Sequence, residues 1–233
     1  MVVWLFAGGG EAEVIGLVPF LSKHFASTFK RMTPVRRKPG PRPNKHGYGK
    51  TGKSLAQQIT RQLRNALKQD QHCHLILVID DLDCRDVIQQ TQRFFAAIDN
   101  VDGAEHLNRF IGFAAPELEA WLIADWDHTL AYDVDFRAQH EAMRWWLSHE
   151  KDVPFDAPET FSYYVPLRDA CADKLSAILQ NAAITYTDKH YSKAIHTPRL
   201  LQQLDIEIVQ RKCPLFRELY NFLTDMDARS NKS

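Results

Sequence analysis

The sequence predicts an α/β fold: a four-stranded, mostly parallel sheet flanked by helices and followed by a helical C-terminal part. Residues 74–79, HLILVI, form an apolar, branched run of strand length. Such a run suits a strand buried on both faces, as in a parallel sheet covered by helices. The N-terminal strand ends in three glycines before a helical pattern, which is the opening of a βαβ unit. From Phe136 onward the sequence is helical and strand-poor.

The apolar spacing assigns each element in order. Strands are predicted at 2–6, 27–35, 74–79 and 109–115. Helices are predicted at 13–25, 54–68, 87–98, 137–149, 167–179, 199–208 and 214–226. We therefore expect an α/β core over residues 1–130, with a basic insertion at 36–53, and a helical extension over 131–233 packed on that core.

The formal net charge is zero, but the charges are distributed unevenly. Residues 14–69 contain no Asp or Glu and carry 13 of the 29 Lys and Arg residues. The segment 36–53 is rich in Pro, Gly and positive charge, and such a composition cannot pack a core. It is either a solvated linker or a loop that contacts a polyanion such as nucleic acid. The candidate phosphate-contacting residues in it are Arg36, Arg37, Lys38, Arg42, Lys45, Lys50 and Lys53.

Cysteine usage and hydropathy predict a cytoplasmic protein. The four cysteines are scattered without a CxxC pair, so we expect free thiols rather than a zinc site or a disulfide framework. No apolar run approaches the roughly 20 residues that span a bilayer. The N-terminus lacks a basic region and runs into a glycine turn, which favours a first strand over a signal peptide.

An acidic cluster follows the central strand. Asp80, Asp81 and Asp83 lie within four residues, at the strand end where ligands bind in open α/β sheets. Such carboxylates repel one another unless a cation lies between them, and Mg²⁺ or Mn²⁺ prefers oxygen ligands. The alternative is an acidic turn that caps the next helix. If the strands are parallel, Glu11 and Glu119 emerge at the same edge, although either could simply serve a helix N-terminus.

Two further patterns leave alternatives open. Residues 47–54, GYGKTGKS, match a P-loop, but Pro-Arg-Pro-Asn-Lys-His precedes them where a buried strand is needed. A nucleotide-binding protein that uses Lys53 and Ser54 therefore remains an alternative. In the C-terminal part, Lys193 and His196 could hold a phosphate or act in acid–base steps, or could be ordinary surface residues.

Four features occur in one order: strand–GGGE, a long basic insertion, strand–DDxD and strand–PELEAWLIAD. Together they resemble the TOPRIM-like proteins of domain-of-unknown-function family 4276, related to the RloB type. The segment HYSKAIHTPRLLQQLDIEIVQRKCPLFRELYNFL resembles the closing segment of that family. The resemblance thus extends from Val2 to about Leu223.

The resemblance implies a TOPRIM fold, as in topoisomerases, primases and OLD-type nucleases. In such proteins a Glu after the first strand and a DxD after the third bind Mg²⁺ for phosphodiester chemistry. Asp81 and Asp83 match the DxD, and Asp80 is an additional acid. Ala7 stands where the TOPRIM glutamate is expected, so Glu11 either replaces it or the catalytic site is degraded. The resemblance also implies anti-phage defence beside an ATPase partner.

The sequence therefore favours a nuclease that depends on Mg²⁺ or Mn²⁺ and acts on DNA or RNA. The expected metal ligands are Glu11, Asp80, Asp81 and Asp83, with Glu119 as a further catalytic candidate. The alternatives are the P-loop protein and a non-catalytic subunit that binds nucleic acid or an ATPase.

Overall fold

A computed structural model describes residues 1–8, 10–33, 51–69 and 72–230, without the side chains of residues 11–14. Four parallel strands form one sheet in the order β2-β1-β3-β4. They are β1 (Val2–Ala7), β2 (Thr28–Thr33), β3 (Leu75–Asp81) and β4 (Asn108–Ala114). The predicted four-stranded parallel sheet is confirmed. The central strand is longer than predicted, because Asp80 and Asp81 continue the ladder opposite Phe113 and Ala114.

Both faces of the central strands β1 and β3 are buried, as their continuous apolar runs predict, whereas the edge strand β2 exposes Thr28, Lys30 and Arg31. Successive residues of β1 point to opposite faces: Val3 and Leu5 join one apolar cluster, and Trp4 and Phe6 join the other. The first cluster contains residues of α1 (Glu11–His24), and the second contains residues of α2 (Gly52–Lys68) and α3 (Val87–Asp99). The short helix α4 (Glu119–Ala124) follows β4 and is entirely buried.

The C-terminal part is mainly helical, as predicted. Its helices are α5 (His140–His149), α6 (Leu175–Tyr186), α7 (Lys193–Leu201), α8 (Ile206–Lys212) and α9 (Pro214–Ser230). A short 3₁₀ helix (Pro158–Thr160) and an antiparallel hairpin of β5 (Tyr164–Val165) and β6 (Ala170–Cys171) lie between α5 and α6.

Two predicted helices are wrong in their bounds. The predicted helix at 167–179 begins only at Leu175, because the chain first turns back and pairs Tyr164 with Cys171. The predicted helix at 199–208 is split between α7 and α8. The Asp205 side chain accepts hydrogen bonds from the backbone N–H groups of Glu207 and Ile208, which starts a new helix there.

The C-terminal helices share a core with the sheet. Helix α7 packs on α1 and α9 packs on β4. The rings of Phe110 on β4 and Phe222 on α9 stack with centroids 4.1 Å apart. Gly112 on β4 lies against Leu219, since a Cβ at this glycine would be 3.1 Å from that side chain. The division at residue 130 stays a prediction.

The expectation of free thiols is wrong for one pair of cysteines. Cys84 and Cys171 form a disulfide between residues 87 positions apart, whereas Cys73 and Cys213 are buried free thiols. Sequence spacing could not reveal this pair, because the fold brings the β3–α3 loop beside the β5–β6 hairpin. Within the described residues, no helix is long and apolar enough to cross a membrane.

Candidate active site at the carboxyl edge of the sheet

The carboxyl ends of β1, β3 and β4 lie side by side and position the acidic cluster. Asp80 and Asp81 are the last two residues of β3, and Asp83 follows in a turn; all three are buried. The N–H of Leu82 donates to the carbonyl of Ala114, and the N–H of Asp83 donates to that of Pro116. Asp83 and Cys84 both adopt left-handed backbone angles, with φ of 51° and 60°. The turn is thus tied to the end of β4.

Asp80 lies deepest in the cluster, with 2% of its surface exposed. Its Oδ2 accepts a 2.8 Å hydrogen bond from the N–H of Gly52 at the start of α2. Its Oδ1 is buried and has no hydrogen-bond partner among the described residues. Burial raises the pKa of Asp80 to about 8, although the Gly52 N–H opposes the shift. At neutral pH this carboxyl group therefore either keeps its proton or needs a cation.

Gly8, at the end of β1, allows Asp80 to occupy this place. A Cβ at Gly8 would lie 1.8 Å from Oδ1 of Asp80, far inside van der Waals contact. The N–H of Gly8 also donates to the carbonyl of Ile79, which continues the β1–β3 pairing. The first of the three glycines therefore leaves the space that the acid on the neighbouring strand occupies.

The other two aspartates have partners. Oδ1 of Asp81 accepts a 3.1 Å hydrogen bond from the N–H of Leu118. Oδ2 of Asp83 lies 3.1 Å from Nη1 of Arg85 and accepts a hydrogen bond from Oγ1 of Thr51. Nζ of Lys174 lies 3.8 Å from Oδ1 of Asp83. The charge of Asp83 is therefore balanced by two cations.

A second polar cluster follows β4. Glu119 is fully buried; its Oε2 lies 3.0 Å from Nζ of Lys193, and its Oε1 accepts a hydrogen bond from Oγ1 of Thr197. Glu117 lies 3.7 Å from the same ammonium group and accepts hydrogen bonds from the N–H and hydroxyl of Ser176. The acids of PELE were both expected at this strand end, but only Glu119 was predicted to be a site residue. Because the N–H of Leu118 reaches Asp81, this cluster adjoins the aspartates.

His196 faces inward. Its Nε2 lies 3.5 Å from Oδ2 of Asp135, and its ring packs against Phe136 and Tyr191. Lys193 is also paired with carboxylates, so both residues contact acidic groups of the protein itself. Their predicted contact with phosphate stays a prediction.

Of the remaining predicted site residues, the structure describes the side chain of Lys53 but not those of the others. Glu11 begins α1, but its side chain lies outside the described part of the chain. So do Arg36, Arg37, Lys38, Arg42, Lys45 and Lys50. Lys53 is exposed in the first turn of α2, and further exposed cations follow on that helix at Arg61, Arg64 and Lys68.

In the part of the P-loop pattern that the structure describes, a backbone N–H group contacts a carboxylate. Strand β2 ends at Thr33, and residues 34–46 separate it from Gly47, whereas a P-loop follows its strand directly. The N–H of Gly52, which a P-loop would offer to phosphate, donates to Asp80. Nucleotide binding stays a prediction. Loss of ATP binding in a Lys53→Ala variant would support it.

No preformed metal centre is present in the described residues. Among them, no group of three or more His, Cys, Asp or Glu side chains is arranged to hold a metal ion. The fit is partial: among the described residues the buried Oδ1 of Asp80 has no hydrogen-bond partner, while Asp83 is paired with Arg85. The predicted Mg²⁺ or Mn²⁺ site therefore stays a prediction.

Residues 8–224 match the family described as domain of unknown function (DUF4276). The chain belongs to the DUF4276 family. In the comparisons with curated proteins and with solved structures, nothing matches. The matched region of this DUF4276 protein begins at Gly8, at the end of β1, and includes the acidic cluster and most of the C-terminal helices.

Proposed function

We propose that this DUF4276 protein is a metal-dependent nuclease of the TOPRIM type. The observation that carries the proposal is the buried oxygen of Asp80, which lacks a hydrogen-bond partner among the described residues beside Asp81 and Asp83. An ionised carboxylate in such a place is costly unless a cation or hydrogen bonds compensate it. The carboxyl edge of a parallel sheet is also where ligands bind.

Asp80, Asp81 and Asp83, with Glu11 from the first turn of α1, would hold one or two Mg²⁺ or Mn²⁺ ions. Such an ion activates water and stabilises charge on a scissile phosphate. Arg85 and Lys174 already face Asp83. If an ion bound Asp83, these two cations would become available to pair with the phosphate of the substrate.

Basic side chains support a nucleic-acid substrate. Lys53, Arg61, Arg64 and Lys68 are exposed on α2, whose N-terminus touches Asp80. In the sequence, the basic segment 36–50 lies just before the N-cap residue Thr51 of α2. Phosphate contacts by these residues release counterions, so the proposal requires nucleic-acid binding that weakens as salt rises. Binding that stays constant between low and high salt would argue against it.

The test is cleavage of single- and double-stranded DNA and RNA with Mg²⁺ or Mn²⁺. An Asp81→Asn, Asp83→Asn double variant is expected to lose cleavage, because two candidate ligands lose their charge. The matched control is Asp86→Asn in the same loop. Asp86 caps α3 by accepting from the N–H of Gln89, and Asn caps equally well, so this variant should cleave normally. Equal cleavage by the double variant would exclude the proposed site.

A non-catalytic subunit is the second candidate, and two observations favour it. Ala7 occupies the strand end where a TOPRIM glutamate is expected, and Arg85 already neutralises Asp83. Such a subunit would bind nucleic acid or an ATPase partner through the same surfaces. If neither wild type nor the double variant cleaves any substrate while both bind nucleic acid, this second function replaces the first.

A further inference from the structure

Two neighbouring links join the turn after β3 to the β5–β6 hairpin. Cys84 is bonded to Cys171 at the end of the hairpin. One residue further on, Nε of Arg85 donates to Oδ1 of Asp169 at 3.1 Å, and Nη2 of Arg85 donates to the carbonyl oxygen of Asp169 at 2.6 Å. We refer to these two links together as the clasp. Through the clasp, the position of the hairpin is coupled to the turn that carries the acidic cluster.

The clasp holds a cation of the protein on the acidic cluster. Nη1 of Arg85 lies 3.1 Å from Oδ2 of Asp83, and only 9% of the Arg85 side chain is exposed. A divalent cation that binds Asp83 has to compete with this guanidinium group, because both need the oxygens of the same carboxylate. While the clasp is closed, Asp83 is therefore already neutralised from within the protein.

The disulfide is the stronger of the two links. The side chain of Asp169 is 61% exposed, and water weakens an ion pair with such an exposed carboxylate. The bond between Cys84 and Cys171 is covalent and joins residues 87 positions apart, so it removes much of the freedom of the unfolded chain. The disulfide therefore keeps Asp169 within reach of Arg85.

The backbone at the clasp is strained. Asp83, Cys84 and Asp169 have φ angles of 51°, 60° and 49°, in the left-handed region that residues other than glycine seldom adopt. Such conformations persist only where the surrounding contacts enforce them. Because all three residues lie at the clasp, loss of the disulfide frees the turn and the hairpin to relax away from each other.

We propose that the Cys84–Cys171 bond is a redox switch of the acidic cluster. While the bond is intact it holds Arg85 on Asp83, and its reduction opens the cluster to a divalent cation. The inference rests on the proposed function for its cation site, and it adds the condition under which that site fills. It also gives a reason for the partial fit of the described carboxylates to a metal ion.

The reductant is a dithiol, and the reaction is thiol–disulfide exchange. One thiolate of the dithiol attacks Sγ of Cys84, the more exposed of the two cysteines, and Cys171 leaves as a thiolate. The second thiolate of the dithiol then attacks the mixed disulfide and releases Cys84. Two electrons pass to the protein, the dithiol leaves as a disulfide, and each cysteine takes up one proton.

The test measures Mn²⁺ binding by electron paramagnetic resonance, in oxidised protein and in protein that has been reduced with dithiothreitol and desalted without oxygen. Reduced wild type is expected to bind Mn²⁺ about tenfold more tightly than oxidised wild type. An Asp81→Asn, Asp83→Asn variant should lose this binding in both states, which assigns it to the acidic cluster. By linkage, Mn²⁺ should make the disulfide about tenfold easier to reduce in a titration with dithiol.

Two variants separate the switch from a general loss of structure. Cys84→Ser, Cys171→Ser should bind Mn²⁺ like reduced wild type and should not respond to reductant. Arg85→Gln keeps the disulfide and should bind Mn²⁺ tightly without reduction, because the competing cation is gone. Arg93→Gln is the matched control, since Arg93 donates to Gln90 on α3, and it should bind Mn²⁺ as oxidised wild type does.

The outcomes distinguish the switch from the proposed nuclease. If oxidised wild type binds Mn²⁺ as tightly as reduced wild type, or more tightly, the inference is overturned and the nuclease proposal stands. If neither reduction nor Arg85→Gln yields Mn²⁺ binding, the metal site and the inference fail together. Tighter Mn²⁺ binding on reduction, without cleavage of any nucleic acid, supports the switch and removes only the catalytic proposal.

Discussion

At the scale of single residues, Gly8 and Asp80 constrain each other across neighbouring strands. A Gly8→Ala variant is expected to unfold about 1–3 kcal/mol more easily, since its Cβ would overlap Oδ1 of Asp80. Chemical denaturation measures this. In an Asp80→Ala background the same substitution should cost much less, because the clashing carboxyl group is gone. An equal cost in both backgrounds would show that Gly8 is required for its backbone rather than for Asp80.

Glu159, which is outside the candidate site, should make the free energy of unfolding depend on pH. Its carboxyl group accepts hydrogen bonds from the N–H groups of Leu215 and Phe216 at the start of α9, and burial raises its pKa to about 7. Between about pH 4.5 and 7 the unfolded chain loses this proton while the folded chain keeps it. The free energy of unfolding should therefore fall as pH rises through this window.

A Glu159→Gln variant removes this titration. Its free energy of unfolding should rise relative to wild type as pH increases from about 4.5 to about 7, and the difference should then level off. Denaturation curves collected across that pH range measure the difference between the two proteins. A constant difference would mean that the pKa of Glu159 is not raised in the folded protein.

At the scale of elements, the hairpin depends on its disulfide. The bond between Cys84 and Cys171 closes a long loop, and such bonds stabilise folded proteins by about 2–4 kcal/mol. A Cys84→Ser, Cys171→Ser variant should lose about this much stability by chemical denaturation. Wild type in dithiothreitol should behave like the variant, and the variant should not respond to reductant. Reductant-insensitive wild type would show that the two thiols are not bonded in solution.

Helix α2 and residues 167–179 show where the spacing of apolar residues predicts a helix correctly and where it does not. The spacing of Leu55, Ile59, Leu63 and Leu67 predicted the buried face of α2. The first three are buried, and Leu67 is partly buried against the same cluster. Residues 167–179 have an equally helical pattern, yet the chain there first completes a hairpin. Residues 170 and 171 instead pair with β5, and Cys171 is bonded to Cys84, so contacts with distant residues prevail over the local preference.

At the scale of the whole molecule, the two halves share one apolar cluster. This cluster contains Leu5 and Leu77 of the sheet together with Leu219 and Leu223 of α9. We therefore expect a fragment of residues 1–130 to lack cooperative unfolding, because it keeps α1 on that face of the sheet but loses the cover that α9 gives to β4. Leu219→Ala in the full chain should cost about 2–5 kcal/mol. A fragment that unfolds cooperatively would instead support the division at residue 130.

The sequence by itself determined the parallel sheet and the place of the acidic cluster. Continuous apolar runs bury strands on both faces, and parallel strands bring their carboxyl ends to one edge. The tertiary structure alone decided how the acids are compensated. The Gly52 contact with Asp80, the Arg85 bridge from Asp83 to Asp169 and the Lys193 contact with Glu119 join residues far apart in the chain. Local spacing carries no information about such pairs, because they depend on how the helices and the hairpin pack against the sheet.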